Sequence, residues 1–308
     1  MRVDTHVHVT PQSYVSALEQ AFGGRLPGVV PSSRGGLLEL MERYEIDAAV
    51  VSSGPPGVYL GDQARANELA RRVNEEAAEL VRSEPARVAA LATLPLPDVD
   101  ASVAELAYAL DELRLDGVFL LTNLGGTYLG DAAWDPLFDE LERRTAYVFV
   151  HPALPPHPLP LQHPVWLYEF PFETTRAVAQ LVYSGTLERC PSIRVQLAHL
   201  GGTVPFLAHR LASLADREPV LAERAPAGAL EYLRRLYYDT GLSNNGVALA
   251  STLEAASLEH VVFGTDWPYA ALPPEGSDPA PGLDWLGERR AQVEGANAFA
   301  LVPRFASA

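Results

Sequence analysis

Five side chains able to hold a cation or move a proton lie far apart in this 308-residue chain, each within or at the end of a short apolar run. His6 and His8 fall in RVDTHVHV, His151 closes YVFVH, His199 closes IRVQLAH and Asp266 closes HVVFGTD. Imidazole nitrogens and a carboxylate oxygen are the usual donors to a borderline divalent ion such as Zn2+. An ion held by three histidines and one aspartate keeps room for water and lowers its pKa towards ~7, making hydroxide available at neutral pH. His6, His8, His151 and Asp266 are enough for one such centre. His199 is then left for acid–base work, where an unperturbed pKa near ~6.5 suits proton exchange.

Each feature also has an ordinary explanation. A strand histidine is often only hydrogen bonded, and Asp266 in GTDWP could cap a turn. Gly201 and Gly202 could let a substrate approach the backbone, or could simply turn the chain into the next helix. His157, His163, His209 and His260 lack strand-end positions and read as loop, helix or surface residues, with His157 the one candidate for a pocket wall. What points to a single centre is the joint placement of the five groups at strands 1, 5, 6 and 8.

Those strands need a scaffold that brings their ends together. β-rich runs are expected at Arg2–Val9, Asp47–Ser52, Val88–Pro95, Gly117–Leu121, Tyr147–His151, Arg194–His199, Leu236–Thr240 and His260–Asp266. Between them, apolar residues recur at helical spacing over Gln63–Arg82, Val99–Leu113, Pro136–Arg144, Thr174–Arg189 and Val204–Ala215. Eight such alternations predict an α/β fold of the (β/α)8 TIM-barrel type, one domain over 1–308, whose functional rim is at the strand C-termini. A doubly wound open sheet would carry a Gly-rich phosphate turn after its first strand, where this chain has His-Val-His. Residues 10–36 form an insertion after strand 1, long enough to act as a lid. Residues 152–164 are too proline-rich for a helix, and the segment 271–308 is expected to wrap the barrel.

Composition narrows the chemistry. All 23 basic residues are arginine, so Schiff-base, P-loop and carbamylated-lysine chemistry are closed to this chain. A net charge of −16 argues against nucleic acid or an anionic membrane as partner. No apolar run reaches the ~18–20 residues of a membrane span, and the N-terminal residues lack a secretory pattern. The lone Cys190 excludes an internal disulfide and fits a reducing cytosol, so a cytoplasmic location is expected.

DTHVH, VFVHP, AHLGGTVPF and FGTDWP, in this order, resemble the amidohydrolase superfamily. The chain is more narrowly similar to the branch related to 2-amino-3-carboxymuconate-6-semialdehyde decarboxylase. SSGPPGVYLGD, ATLPLPDVD, LLTNLGGTYLGD, FPFETTRAVAQLVYSGTLER and EGANA resemble its 6-methylsalicylate decarboxylase-type members. The likeness runs from about residue 2 to about residue 300. It implies His6, His8, His151 and Asp266 as ligands of one divalent ion, zinc first and manganese second, with His199 as the catalytic histidine. It implies Trp166 as an aromatic lining the pocket. It also implies Arg210 as an arginine that reaches the substrate carboxylate from a neighbouring subunit, and hence a homodimer. The family's other carboxylate-binding arginine, upstream of strand 2, has no clean counterpart; Arg34 is nearest but displaced.

The expected activity is metal-dependent, non-oxidative decarboxylation of a small aromatic or unsaturated carboxylic acid, either with a proton supplied by Asp266 or His199 or with metal hydroxide added under assistance from His199. The alternative is hydrolysis of a lactone, ester or amide at the same mononuclear site. A non-catalytic metal binder is the third class; it would be favoured if one of the five groups were missing.

Overall fold

The computed structural model describes residues 1–215, 217–274 and 277–307. Asp216, Glu275, Gly276 and Ala308 lie outside the described residues, the last three of them in the expected C-terminal wrap. Eight parallel strands stand in chain order, each hydrogen bonded to the next. They are β1 (Val3–His8), β2 (Ala48–Ser52), β3 (Val88–Thr93), β4 (Gly117–Leu121), β5 (Tyr147–His151), β6 (Arg194–Leu197), β7 (Tyr237–Asp239) and β8 (Val261–Val262). A short antiparallel hairpin, Asn123–Leu124 with Thr127–Tyr128, follows β4.

The ring closes between the last strand and the first. Thr5 N–H donates to Phe263 O at 2.9 Å, Asp266 N–H to His6 O at 2.8 Å and His8 N–H to Trp267 O at 2.8 Å. Val7 and Trp267 form a parallel bridge there. The expected strand to Asp266 is therefore only partly regular. Beyond Val262 the chain follows β1 without a continuous ladder, because Asp266 takes a left-handed backbone, φ 61°. At Gly264 a Cβ would stand 2.7 Å from the Cβ of His6, so only glycine lets the closing segment come this near the first strand.

Strands buried on both faces need apolar residues on both, and β1, β2, β3 and β5 are buried throughout. Val3, Val50, Leu91, Phe119, Tyr147 and Phe149 belong to an inner core that continues into Leu301, Val302 and Phe305. The C-terminal turns thus plug the barrel floor, and Arg304 fastens them by bonding Asp116 at 2.6 Å. A second core lies between strands and helices, where Leu80, Leu106, Leu137, Val178 and Leu181 come from amphipathic faces.

The helices α1 (Gln12–Ala21), α2 (Arg34–Arg43), α3 (Gln63–Ser83), α4 (Val99–Ala107), α5 (Asp135–Arg143) and α6 (Trp166–Tyr183) follow the barrel strands in turn. Helix α6 begins eight residues before the expected Thr174 and carries Pro171 inside it. Proline removes one bond to the carbonyl four residues earlier. Here that residue is Leu167, exposed on the helix's first turns, where water can replace the lost donor. No helix of the described residues is long and apolar enough to cross a membrane.

Candidate metal centre

The alternation of a strand sends His6 and His8 to one face, into the barrel mouth. His6 Nε2 and His8 Nε2 stand 3.1 Å apart. Asp266 Oδ1 lies 3.1 Å from the first nitrogen and 3.2 Å from the second. One donor atom each from His6, His8, His151 and Asp266 gathers within 4.8 Å of the others, and all four residues are buried. His199 joins from β6 on the other oxygen of the aspartate, with Nε2 3.2 Å from Asp266 Oδ2. The five residues expected to meet do meet.

Each ring is set by its second nitrogen. His6 Nδ1 faces Asp239 Oδ1 at 3.0 Å, His8 Nδ1 faces Ser52 Oγ at 3.0 Å and His151 Nδ1 donates to Pro152 O at 2.9 Å. These contacts turn the Nε2 lone pairs of all three rings towards one another. His151 Nε2 is buried and has no hydrogen-bond partner. Converging lone pairs with an orphaned buried nitrogen among them fit a cation and fit no internal hydrogen bond. The donors are of the kind that hold one divalent ion.

The charges agree. Burial holds the His151 imidazolium well below its ordinary pKa and lowers His8 as well, so both rings are neutral donors. Burial disfavours a charged His6 too, but Asp239 and Asp266 outweigh it and raise its pKa to about 10, so without an ion His6 carries a proton that a bound cation would displace from Nε2. Burial would raise Asp266, yet His6, His199 and His8 hold its carboxyl well below the usual range. Asp239 is held low in the same way, mainly by His6 against its burial. The pocket is built to hold positive charge among carboxylates.

Backbone strain marks the same place. His199, Leu200 and Asp266 have φ of 57°, 50° and 61°, a left-handed region that costs non-glycine residues on the order of 1–3 kcal/mol each. Gly201 and Gly202 continue this turn. A Cβ at Gly202 would stand 2.3 Å from the Pro171 carbonyl oxygen, and one at Gly201 would stand 2.9 Å from the Tyr238 ring. The pair allows the left-handed turn and the close packing against Tyr238 and α6.

Other expected positions fall elsewhere. Trp166 opens α6 half-exposed, while Phe170, one turn on, faces His151 at a ring distance of 6.1 Å. Buried Glu173, on the same helix, accepts from Asn123 Nδ2 at 2.7 Å and Tyr128 Oη at 2.9 Å and pairs with Arg176. Arg210 is exposed on the helix Val204–Ala215. Arg34 pairs with Glu84 at 2.5 Å at the start of α2, away from the donors. His157, in the proline-rich loop, is exposed and is not among the four converging donors. A cavity of about 650 Å3 between α1, α3 and β2 reaches Ser52 but none of the four donors.

Sequence reasoning missed Asp239 and Ser52. The register pairs Ser52 with His8 across β1 and β2. Asp239 closes the run LYYD as Asp266 closes VVFGTD, and that shared position at a strand end was the available signal.

The amidohydrolase family model matches residues 3–304. A decarboxylase of Penicillium terrestre is 36% identical over 291 residues, 88% of this chain and 85% of its own. The 6-methylsalicylic acid decarboxylase of Penicillium expansum is 34% identical over 279 residues, 87% of this chain and 85% of its own. Among solved structures, 5-carboxyvanillate decarboxylase from Novosphingobium aromaticivorans, complexed with manganese and 4-hydroxy-3-methoxy-5-nitrobenzoic acid, superposes with a TM-score of 0.84. It is 20% identical, covers 98% of this chain and 96% of its own, and speaks for the shared barrel. With the model matching nearly every residue and two relatives above 30% identity, the chain belongs to the amidohydrolase family.

Proposed function

We propose that this protein is a metal-dependent, non-oxidative decarboxylase of a small aromatic carboxylic acid, of the 6-methylsalicylate kind. The observation that carries the reading is the division of labour at Asp266: Oδ1 joins three histidine nitrogens around one point, while Oδ2 pairs with His199. The two Penicillium decarboxylases, each aligned over most of both chains, support it. His6, His8, His151 and Asp266 would hold one divalent ion, zinc by donor type, with manganese, present in the Novosphingobium structure, as the alternative.

Such an ion, held by those four residues, would supply a Lewis acid that polarises the substrate and absorbs developing charge. The chain's own groups supply the proton. An sp2 carbon cannot release CO2 before it is protonated, since the carbanion left behind is too unstable. The His199–Asp266 pair holds a proton between Nε2 and Oδ2 and delivers it to the ring carbon bearing the carboxylate. The carbon–carbon bond then breaks, its electron pair restores the aromatic ring, and CO2 departs. Phe170 and Phe119 give the apolar walls that exclude water around His151.

The whole chain acts as one domain, with residues 10–36 as the lid. In support, Thr10 and Ser32 bond one another at 2.7 Å, and Gly36 lies against the Trp267 ring beside Asp266. A homodimer completes the site. Leu159, Leu161, Trp166, Leu167, Phe172 and Phe206 are exposed on the segments that follow β5 and β6, apolar surface that a second copy would cover. Arg210 stands one turn after Phe206, so a second copy covering that patch would bring an arginine to a substrate carboxylate. The free, buried Cys190 fits a cytosolic setting.

Two measurements test these readings. Purified protein loaded with manganese or zinc should release CO2 from 6-methylsalicylate or a related hydroxybenzoate. Ring opening of lactones with no CO2 from a panel of such acids would make it a hydrolase instead. Light scattering should give twice the chain mass of 33.3 kDa. A monomer that stays active at nanomolar dilution would rule out the trans arginine.

A further inference from the structure

The barrel interior holds a carboxylate that no expected role uses. Asp239 ends β7, is 0% exposed and is fully engaged by donors. Its Oδ1 accepts from His6 Nδ1 at 3.0 Å, from His199 N–H at 3.1 Å and from Gly241 N–H at 3.0 Å. Its Oδ2 accepts from Gln196 Nε2 at 2.8 Å. The glutamine amide is itself oriented without ambiguity. Its Nε2 also reaches Thr5 O at 3.3 Å, and its Oε1 accepts from Tyr147 Oη at 2.6 Å. Asp239, His6, Gln196, Thr5 and Tyr147 are each exposed by 1% or less, Gly241 is buried, and His199 is 7% exposed.

One oxygen therefore touches both halves of the machinery: the ring of a ligand histidine and the backbone of the acid–base histidine. A carboxylate on Nδ1 keeps the proton there and leaves the Nε2 lone pair for the cation, which fixes both tautomer and ring plane. The bond to the His199 amide holds that residue in its left-handed backbone, φ 57°. We infer that Asp239 is a positioning residue that locks the His6 ring onto the metal point and the strained His199 backbone beside it, with Gln196 and Tyr147 as its anchor. The inference rests on the metal reading above but not on which acid is the substrate.

The test is metal affinity in the folded protein. Asp239→Asn is nearly isosteric but removes the charge, and its amide nitrogen must face either Gln196 Nε2 or the donors around Oδ1. Chelator competition with manganese should show affinity about 10–100-fold weaker than wild type, with the far-UV spectrum unchanged. In the zinc-loaded wild type the buried His6 Nδ1 proton should give a resolved NMR signal, and D239N should lose it; a merely space-filling Asp239 would leave that signal in place. Should D239N fail to fold, Gln196→Leu withdraws only the anchor at Oδ2 and should still weaken manganese binding several-fold. Folded D239N or Q196L that binds manganese within twofold of wild type overturns the inference. A wild-type protein that takes up neither metal overturns the metal reading, and this one with it.

Discussion

Asp266→Asn should cost the protein its bound metal. Among the donors Asp266 is the one anion, and its Oδ1 sits within 3.2 Å of both strand-1 histidines. Loss of a group one shell removed from a metal weakens binding about 10–100-fold, so losing a direct anionic donor should weaken it by more than about 100-fold. CO2 release should fall below detection at micromolar manganese and recover only in part at millimolar levels. The same change leaves one oxygen where two are in use, so the side chain cannot serve both the metal point and His199 Nε2, and added metal should not restore full turnover. Atomic absorption of the purified variant, with circular dichroism to show that it is folded, checks this. D266N that retains stoichiometric metal through gel filtration would remove Asp266 from the ligand set.

His199→Asn separates chemistry from metal binding. The residue stands at φ 57°, a conformation that asparagine tolerates better than most replacements. It also lies outside the four-donor cluster, on the far oxygen of Asp266. Metal affinity should therefore stay within a few-fold of wild type, whereas turnover should drop by about 10^2–10^4, the usual worth of a positioned general acid. Single-turnover CO2 release at saturating metal gives the number. An active H199N would leave Asp266 alone as the proton source.

The contrast between these residues and Asp239 shows what the chain revealed and what it withheld. Histidine is scarce enough at strand ends that five cation- or proton-handling groups at one rim could be read from spacing and strand count. The barrel followed from the same count. Asp239 escaped because an aspartate before Thr-Gly also reads as a turn residue; only the closed ring places it under His6. Ser52 escaped because cross-strand register is invisible in one sequence. The start of α6 was obscured by Pro171, whose usual effect on a helix is relieved by exposure of the first turns. The left-handed turns at His199 and Asp266 were hidden as well, since Asp and His, though commoner at positive φ than most side chains, take it at only a minority of their positions.

Closure between the first strand and residues 263–267 has a consequence for how the protein matures. His8 leaves the ribosome 258 positions ahead of Asp266, which at ordinary translation speeds is roughly 15–50 s. Throughout that interval the nascent chain offers an imidazole pair without its carboxylate. The four-donor site is therefore complete only once Asp266 has docked against the first strand, and the ion found in protein from an expression host should reflect that cell's free-metal pool at that point.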